Sequence, residues 1–289
     1  MKKIIVFVSI IALVLSFASC GSKSSGFDTS KNISVTARED GSGTKSAYME
    51  LIGLKGKADP ANVVIQTGTA AVLAEVKNNP SAIAYESLGY ITDDVKSVSV
   101  NGVAANADNI KNGTYKLSRP LSVVYKDSNV KSGLNKAFLA FLGSKDAQSI
   151  ISDNKYVSIY DTAPEYTIDS TLSGSIDVSG STSLQPLMIK LAAEYEKLQP
   201  NVKVTVSGGG SGTGYKNAEN GTSAFGMISA VFDKTNAPSC VSYTVAKDGI
   251  AVIVNKQNTI SNITVDQLKA IYNKDAGKDA ITTWSQLIK

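Results

Sequence analysis

Apolar and polar residues alternate over Ile33-Ser34-Val35-Thr36-Ala37, the period of a half-buried strand. Lys45 to Leu51 reads as a helix, and so does Thr69 to Lys77, which Asn78-Asn79-Pro80 ends. Ala82 to Tyr90 and Val95 to Val100 predict strands, and Leu121 to Tyr125 is a short β-branched run. Leu134 to Leu142 and Lys145 to Ile151 carry helical patterns. Asp161 to Gly174 is polar, holds Pro164 and has no period, so it reads as a linker. Beyond it, Ser183 to Leu198 has apolar residues at helical spacing, Val202 to Val206 predicts a strand, and the apolar run Ile250 to Val254 predicts a buried one. Thr264-Val265-Asp266-Gln267 and Thr283-Trp284-Ser285-Gln286 both have the spacing of a capping box. Strands alternating with helices predict an α/β fold with a parallel or mixed sheet.

Three segments between these elements share one chemistry. Arg38-Glu39-Asp40-Gly41-Ser42-Gly43-Thr44 places one of only two arginines, Arg38 and Arg119, before a flexible hydroxyl-bearing loop and a helix. A guanidinium fork fits the oxygens of phosphate or carboxylate, and a helix N-terminus favours an anion. A plain turn with a helix cap is the alternative reading of this loop alone. Gly180-Ser181-Thr182-Ser183-Leu184-Gln185-Pro186 could cap its helix or bind an anion, since both use the same geometry. Ser207-Gly208-Gly209-Gly210-Ser211-Gly212-Thr213-Gly214-Tyr215-Lys216 leaves backbone amides bare after a strand. Tyr215 separates the last glycine from Lys216, so the spacing excludes a nucleotide P-loop. A fourth segment, Phe225-Gly226-Met227-Ile228-Ser229-Ala230, adds Ser229.

Composition narrows the chemistry. The 289 residues contain no histidine, which removes Ser-His-Asp and Cys-His nucleophiles and His-bearing zinc sites. The formal charge is +4, but Lys2 and Lys3 lie in an N-terminal leader without acids, so the remainder is only weakly basic and argues for no nucleic-acid partner. Lys2-Lys3, the apolar run Ile4 to Phe17 and Ala18-Ser19-Cys20 predict a secretion signal over residues 1–19. Its end resembles a bacterial lipobox, with Phe17 where leucine is common, and this implies a lipidated Cys20. Gly21 to Asn32, rich in Ser, Gly and Lys, reads as a flexible tether, so residues 20–32 are expected to be a lipid-anchored spacer. Cys240 is then unpaired and expected to be a buried small residue.

Together the loops resemble the phosphate-binding proteins of bacterial ABC phosphate importers, the PstS type. Arg38 to Thr44 resembles that family's R-x-D-G-S-G-T loop, Gly208 to Gly214 its glycine loop, and Thr182-Ser183 its first hydroxyl loop. The resemblance implies a two-lobed periplasmic-binding-protein-like fold of type II, with inorganic phosphate held between the lobes. It implies phosphate ligands Arg38, Ser42, Gly43 and Thr44 from one lobe and Thr182, Ser183, Ser211 and Ser229 from the other, no metal and no cofactor. Local spacing leaves open whether Thr182 or Ser183 is the ligand. Asp40 would orient Arg38 or accept the ligand's proton, while Ser229 falls where some members place an aspartate that accepts it. Thr67-Gly68-Thr69, Ala82 to Tyr85 and Lys116 to Leu121 resemble family segments outside the ligand shell, with Arg119 a hinge residue. The family runs from the hydroxyl loop to the glycine loop and then to the arginine loop; here the last comes first, which implies a circularly permuted chain with Asp161–Gly174 joining the former ends. One lobe is expected over residues 33–112 plus 249–289, the other over 113–248. Implied partners are permease subunits and, through the lipid, the extracytoplasmic face of the membrane. Another oxyanion such as sulfate, a domain-swapped oligomer, or a phosphate sensor without a transport role are the alternatives.

Overall fold

The computed structural model describes residues 26–288. The expected leader and Cys20 lie outside the described residues. The first lobe opens with β1 (Ser34–Arg38), α1 (Gly43–Leu51), β2 (Val64–Gln66), α2 (Thr69–Asn78), β3 (Ala82–Ser87), β4 (Val95–Val100) and α3 (Ala107–Lys111). Strand β5 (Ser118–Tyr125) leads to α4 (Gly133–Leu142), α5 (Lys145–Asp153), β6 (Gly174–Gly180), α6 (Gln185–Leu198), β7 (Val202–Ser207), α7 (Ser211–Asn220) and β8 (Phe225–Ile228). Strand β9 (Val241–Asn255) returns to β10 (Asn262–Ile263) and α8 (Val265–Tyr272).

The strands form one mixed sheet in the order β2-β1-β3-β9-β5-β8-β6-β7, with β4 pairing β9 and β10. Among the described residues two large apolar cores sit on it, with a third, small cluster around Tyr215 and Cys240. The first contains Tyr48, Tyr85 and Tyr272, whose rings pack together, Tyr48 stacked on Tyr85 at 3.8 Å. The second gathers Phe138, Phe141, Tyr195 and Phe225. Burying large aromatic side chains in each half gives both lobes an independent hydrophobic driving force.

Strands β5 and β9 cross between the cores. Ile250–Val254 of β9 pairs with β3 in the first lobe, whereas Val241–Gly249 pairs with β5, whose residues Ser122–Val124 pair with β8 in the second. The buried run Ile250 to Val254 is therefore half of a 15-residue strand. Its other half is less uniformly buried, which hides it from a search for apolar runs.

Residues 161–174 run irregularly and largely exposed up to β6. The described part of the expected tether is held rather than free. The Ile33 amide donates to the Thr282 carbonyl at 2.8 Å, the Ser285 amide to the Thr29 carbonyl at 2.7 Å, and Phe27 packs edge-on against Trp284. Both capping boxes form, Thr264 with Gln267 at α8 and Thr283 with Gln286 at a single tight turn. Cys240 is free and buried against Glu219, and burial, with that carboxylate beside it, pushes its thiol up to about 11. Among the described residues, no helix is long and apolar enough to cross a membrane.

Candidate anion-binding site

Strand β1 ends at Arg38, and the next turn brings Ser42 to cap α1, its hydroxyl oxygen accepting from the Lys45 amide. The Arg38 backbone amide donates to the Tyr85 hydroxyl at 3.3 Å, so the aromatic core braces the strand end. All of the Arg38 guanidinium is engaged. Nε and Nη2 donate to the two oxygens of Glu39, both at 2.9 Å; Nη1 donates to Glu86 at 3.1 Å and to the Thr69 hydroxyl at 3.2 Å; Nη2 also donates to the Thr182 hydroxyl at 2.9 Å. Burial pulls the Arg38 pKa down, but the hydrogen bonds and charges of Glu39 and Glu86 outweigh it and hold the group above its ordinary value.

From the second lobe, the Ser183 hydroxyl lies 2.8 Å from that of Thr44 and 3.4 Å from that of Thr69, and donates to Glu86 at 3.3 Å. The Ser229 amide donates to the Ser211 hydroxyl at 3.0 Å, and the Ser211 and Ser229 hydroxyls are 3.4 Å apart. Gly43 faces them so closely that a methyl group there would run into the Ser211 hydroxyl and come within 2.8 Å of Ser229. The Gly212 amide donates across the cleft to the Gly41 carbonyl at 3.0 Å. Residues 38, 43, 44, 182, 183, 211 and 229 therefore meet in one interlobe cluster, with Ser42 buried in the same loop.

The cluster has one electrostatic theme. Helix α1 begins at Gly43, α2 at Thr69, α6 just after Thr182-Ser183, and α7 at Ser211. Four helix N-termini, two from each lobe, thus bring their positive dipole ends to one place. Gly210, at φ +85°, makes the left-handed turn that starts α7.

Asp40 does not orient Arg38. Its side chain is 98% exposed and pairs with Lys45 at 2.8 Å. The strand has ended by then and the chain turns, so a residue two places on no longer shares the face of Arg38. Glu39 and Glu86 hold the guanidinium instead. Thr69 also joins the cluster, although its segment reads in the sequence as lying outside the ligand shell. Its one local signal is its place at the first turn of a helix after a glycine.

A family model described as a PBP superfamily domain matches residues 24–146 and 166–289. The chain belongs to the PBP superfamily. Within it, "Phosphate-binding protein PstS 2" of Streptococcus pneumoniae serotype 4 is 35% identical with 99% of each chain covered. The protein of the same name from Streptococcus agalactiae serotype V is 36% identical over 94% of this chain and 93% of its own. A solved structure of a phosphate ABC transporter, phosphate-binding protein, from S. pneumoniae TIGR4 is 36% identical, covers 89% of this chain and 99% of its own, and superposes with a TM-score of 0.70. As a member of the PBP superfamily the chain has a two-lobed α/β fold, and its converging loops lie between those lobes.

Proposed function

We propose that this protein captures inorganic phosphate between its lobes outside the cytoplasm and hands it to the permease subunits of an ABC importer. The convergence of four helix N-termini and Arg38 carries this reading. The names of its relatives support phosphate as the anion. Arg38, Ser42, Gly43 and Thr44 supply one half-site; Thr182, Ser183, Ser211 and Ser229 supply the other. An oxyanion entering here takes over the Arg38 N–H groups now directed at the Thr69 and Thr182 oxygens, and the freed hydroxyls turn to donate to it. Because each lobe holds only half of the donors, the ligand favours the closed form.

Micromolar affinity corresponds to about 8 kcal/mol. Charge-assisted hydrogen bonds contribute about 1.5–3 kcal/mol each and neutral ones about 1 kcal/mol, so Arg38 with some six neutral donors suffices. The proposed role is capture and release, with no catalysis, metal, cofactor or nucleic acid. A leader removed after Ser19 and acylation of Cys20 would keep the protein at the membrane surface beside its permease.

The proposal includes the permuted order of segments. It is supported by the adjacency of residues 27–33 and 281–288 and by the irregular path of 161–174. A chain rejoined from 288 to 33 through a short linker and opened within 161–174 should fold and keep its phosphate affinity. A rejoined chain that cannot fold, or that folds but no longer binds phosphate, would count against a permutation.

Isothermal titration with phosphate tests the function. One site per chain is expected, and Arg38→Ala should weaken it about a hundredfold. A change below about threefold would remove Arg38 from the ligand shell; no binding at millimolar phosphate would overturn the function.

A further inference from the structure

Besides β5 and β9, the segment after α5 also joins the two cores. The helix stops at a left-handed residue, with the Lys155 amide donating to the Ser152 carbonyl and the Tyr156 amide to the Ile151 carbonyl. Glycine is the usual occupant of such a stop, yet Lys155 sits there at φ +68°, a conformation that costs a residue with a side chain free energy. What the lysine adds is a reach into the first lobe, where its ammonium donates to the Ile91 carbonyl at 3.2 Å. The next two residues diverge: Tyr156 packs in the second core and Val157 in the first. The Val157 amide and carbonyl both pair with Lys247 of β9 at 2.9 Å, so the segment is pinned to the strand crossing.

Tyr156 is thereby wedged beside the anion site. Its buried ring lies against the single turn Leu88–Tyr90, so closely that a methyl group on Gly89 would run into it. That turn directly follows Glu86 and Ser87, the end of β3. The Tyr156 hydroxyl donates to the Ser183 carbonyl at 3.4 Å. Burial raises the pKa of this phenol, so its hydroxyl stays a donor. The Ser183 hydroxyl in turn donates to Glu86 and lies 2.8 Å from that of Thr44. One ring therefore braces both partners of the Glu86–Ser183 contact, which come from opposite lobes.

We propose that Tyr156 is a positioning residue of the anion site, setting the distance between the Ser183 loop and the strand end at Glu86 so that hydroxyls of both lobes reach one ligand. This rests on the phosphate-binding reading above. Tyr156 acts through Ser183 rather than on the anion: it holds the Ser183 backbone while the Ser183 side chain faces the cluster. A packed ring is a spacer that barely compresses, and hydrogen bonds weaken steeply once their geometry is lost. A smaller side chain at 156 therefore lets the Ser183 hydroxyl drift from the place where a bound anion needs its donor.

Isothermal titrations of the purified full chain with phosphate test this, using Tyr156→Leu, Tyr156→Phe and Ser183→Ala singly and combined. Tyr156→Leu should weaken phosphate about tenfold, and Tyr156→Phe, which keeps the ring, about threefold. In the Ser183→Ala background no hydroxyl is left to position, so Tyr156→Leu should cost less than about threefold and Tyr156→Phe less than about 1.5-fold. A merely structural role would cost the same factor with and without the Ser183 hydroxyl, which overturns the proposal, as does an unchanged affinity in Tyr156→Leu. Should Tyr156→Leu fail to fold, the Tyr156→Phe pair decides by the same comparison. A wild type that binds no phosphate overturns the phosphate reading itself; phosphate binding with losses independent of Ser183 overturns only the role of Tyr156.

Discussion

Arg38 and Arg119 are the two arginines of the chain, and the fold buries both against carboxylates. Arg119 Nη2 donates to Asp248 at 3.1 Å, and its Nη1 donates to the Ser229 carbonyl at 2.9 Å. Both residues of this pair lie where β5 and β9 cross between the lobes. Burial pushes the Asp248 carboxyl up against the opposing pull of Arg119, and neither Asp248 Oδ1 nor Arg119 Nε has a hydrogen-bond partner. Arg38 differs in its surroundings rather than in its burial. Hydroxyls and helix N-termini from both lobes encircle it, and its second carboxylate is partly exposed. A buried arginine–carboxylate pair thus sits at the strand crossing in one place and in the proposed ligand site in another. The neutral donors around it make the distinction.

The largest effect should separate the two arginines by stability. Arg119→Ala strands Asp248 in the core and should cost about 3–5 kcal/mol in denaturant unfolding, with Arg119→Met plus Asp248→Leu recovering much of it. Equal phosphate loss in Arg119→Ala and Arg38→Ala, without the stability loss, would erase the contrast. Next, Gly43→Ala should weaken phosphate binding about tenfold, because its methyl group meets Ser211 and Ser229 and holds the lobes apart. Ser211→Ala should cost about 1 kcal/mol, roughly fivefold in Kd, for one lost neutral hydrogen bond. Smallest, Asp40→Asn should leave affinity within about twofold, since it breaks only a surface ion pair. A tenfold loss there would restore Asp40 to the site.

Residues whose neighbours are close in sequence were the legible ones. Strand β4 ends where its alternation does, and both capping boxes form as their spacing implies. The glycine loop reads in the sequence as bare backbone, yet a helix begins inside it at Ser211. Glycine is a poor helix former, and here packing overrides propensity: Gly214 and Gly226 bring α7 and β8 together where no side chain would fit. Thr69 and Glu86 reach Arg38 from 31 and 48 residues away, a distance over which periodicity carries no signal. The expectation for Asp40 rests on its loop's resemblance to the family motif, whereas the chain turns after Arg38. The hydroxyl and arginine loops were recognisable because glycine, serine and threonine before a helix leave a local signature.

The most direct test is a crystal structure grown with phosphate. The expected result is one tetrahedral anion between the lobes, bonded to Arg38, to hydroxyls including Thr44, Ser183 and Ser211, and to the first amides of α1 and α7. Phosphate bound elsewhere, or those side chains still bonded only to one another at saturating phosphate, would contradict it.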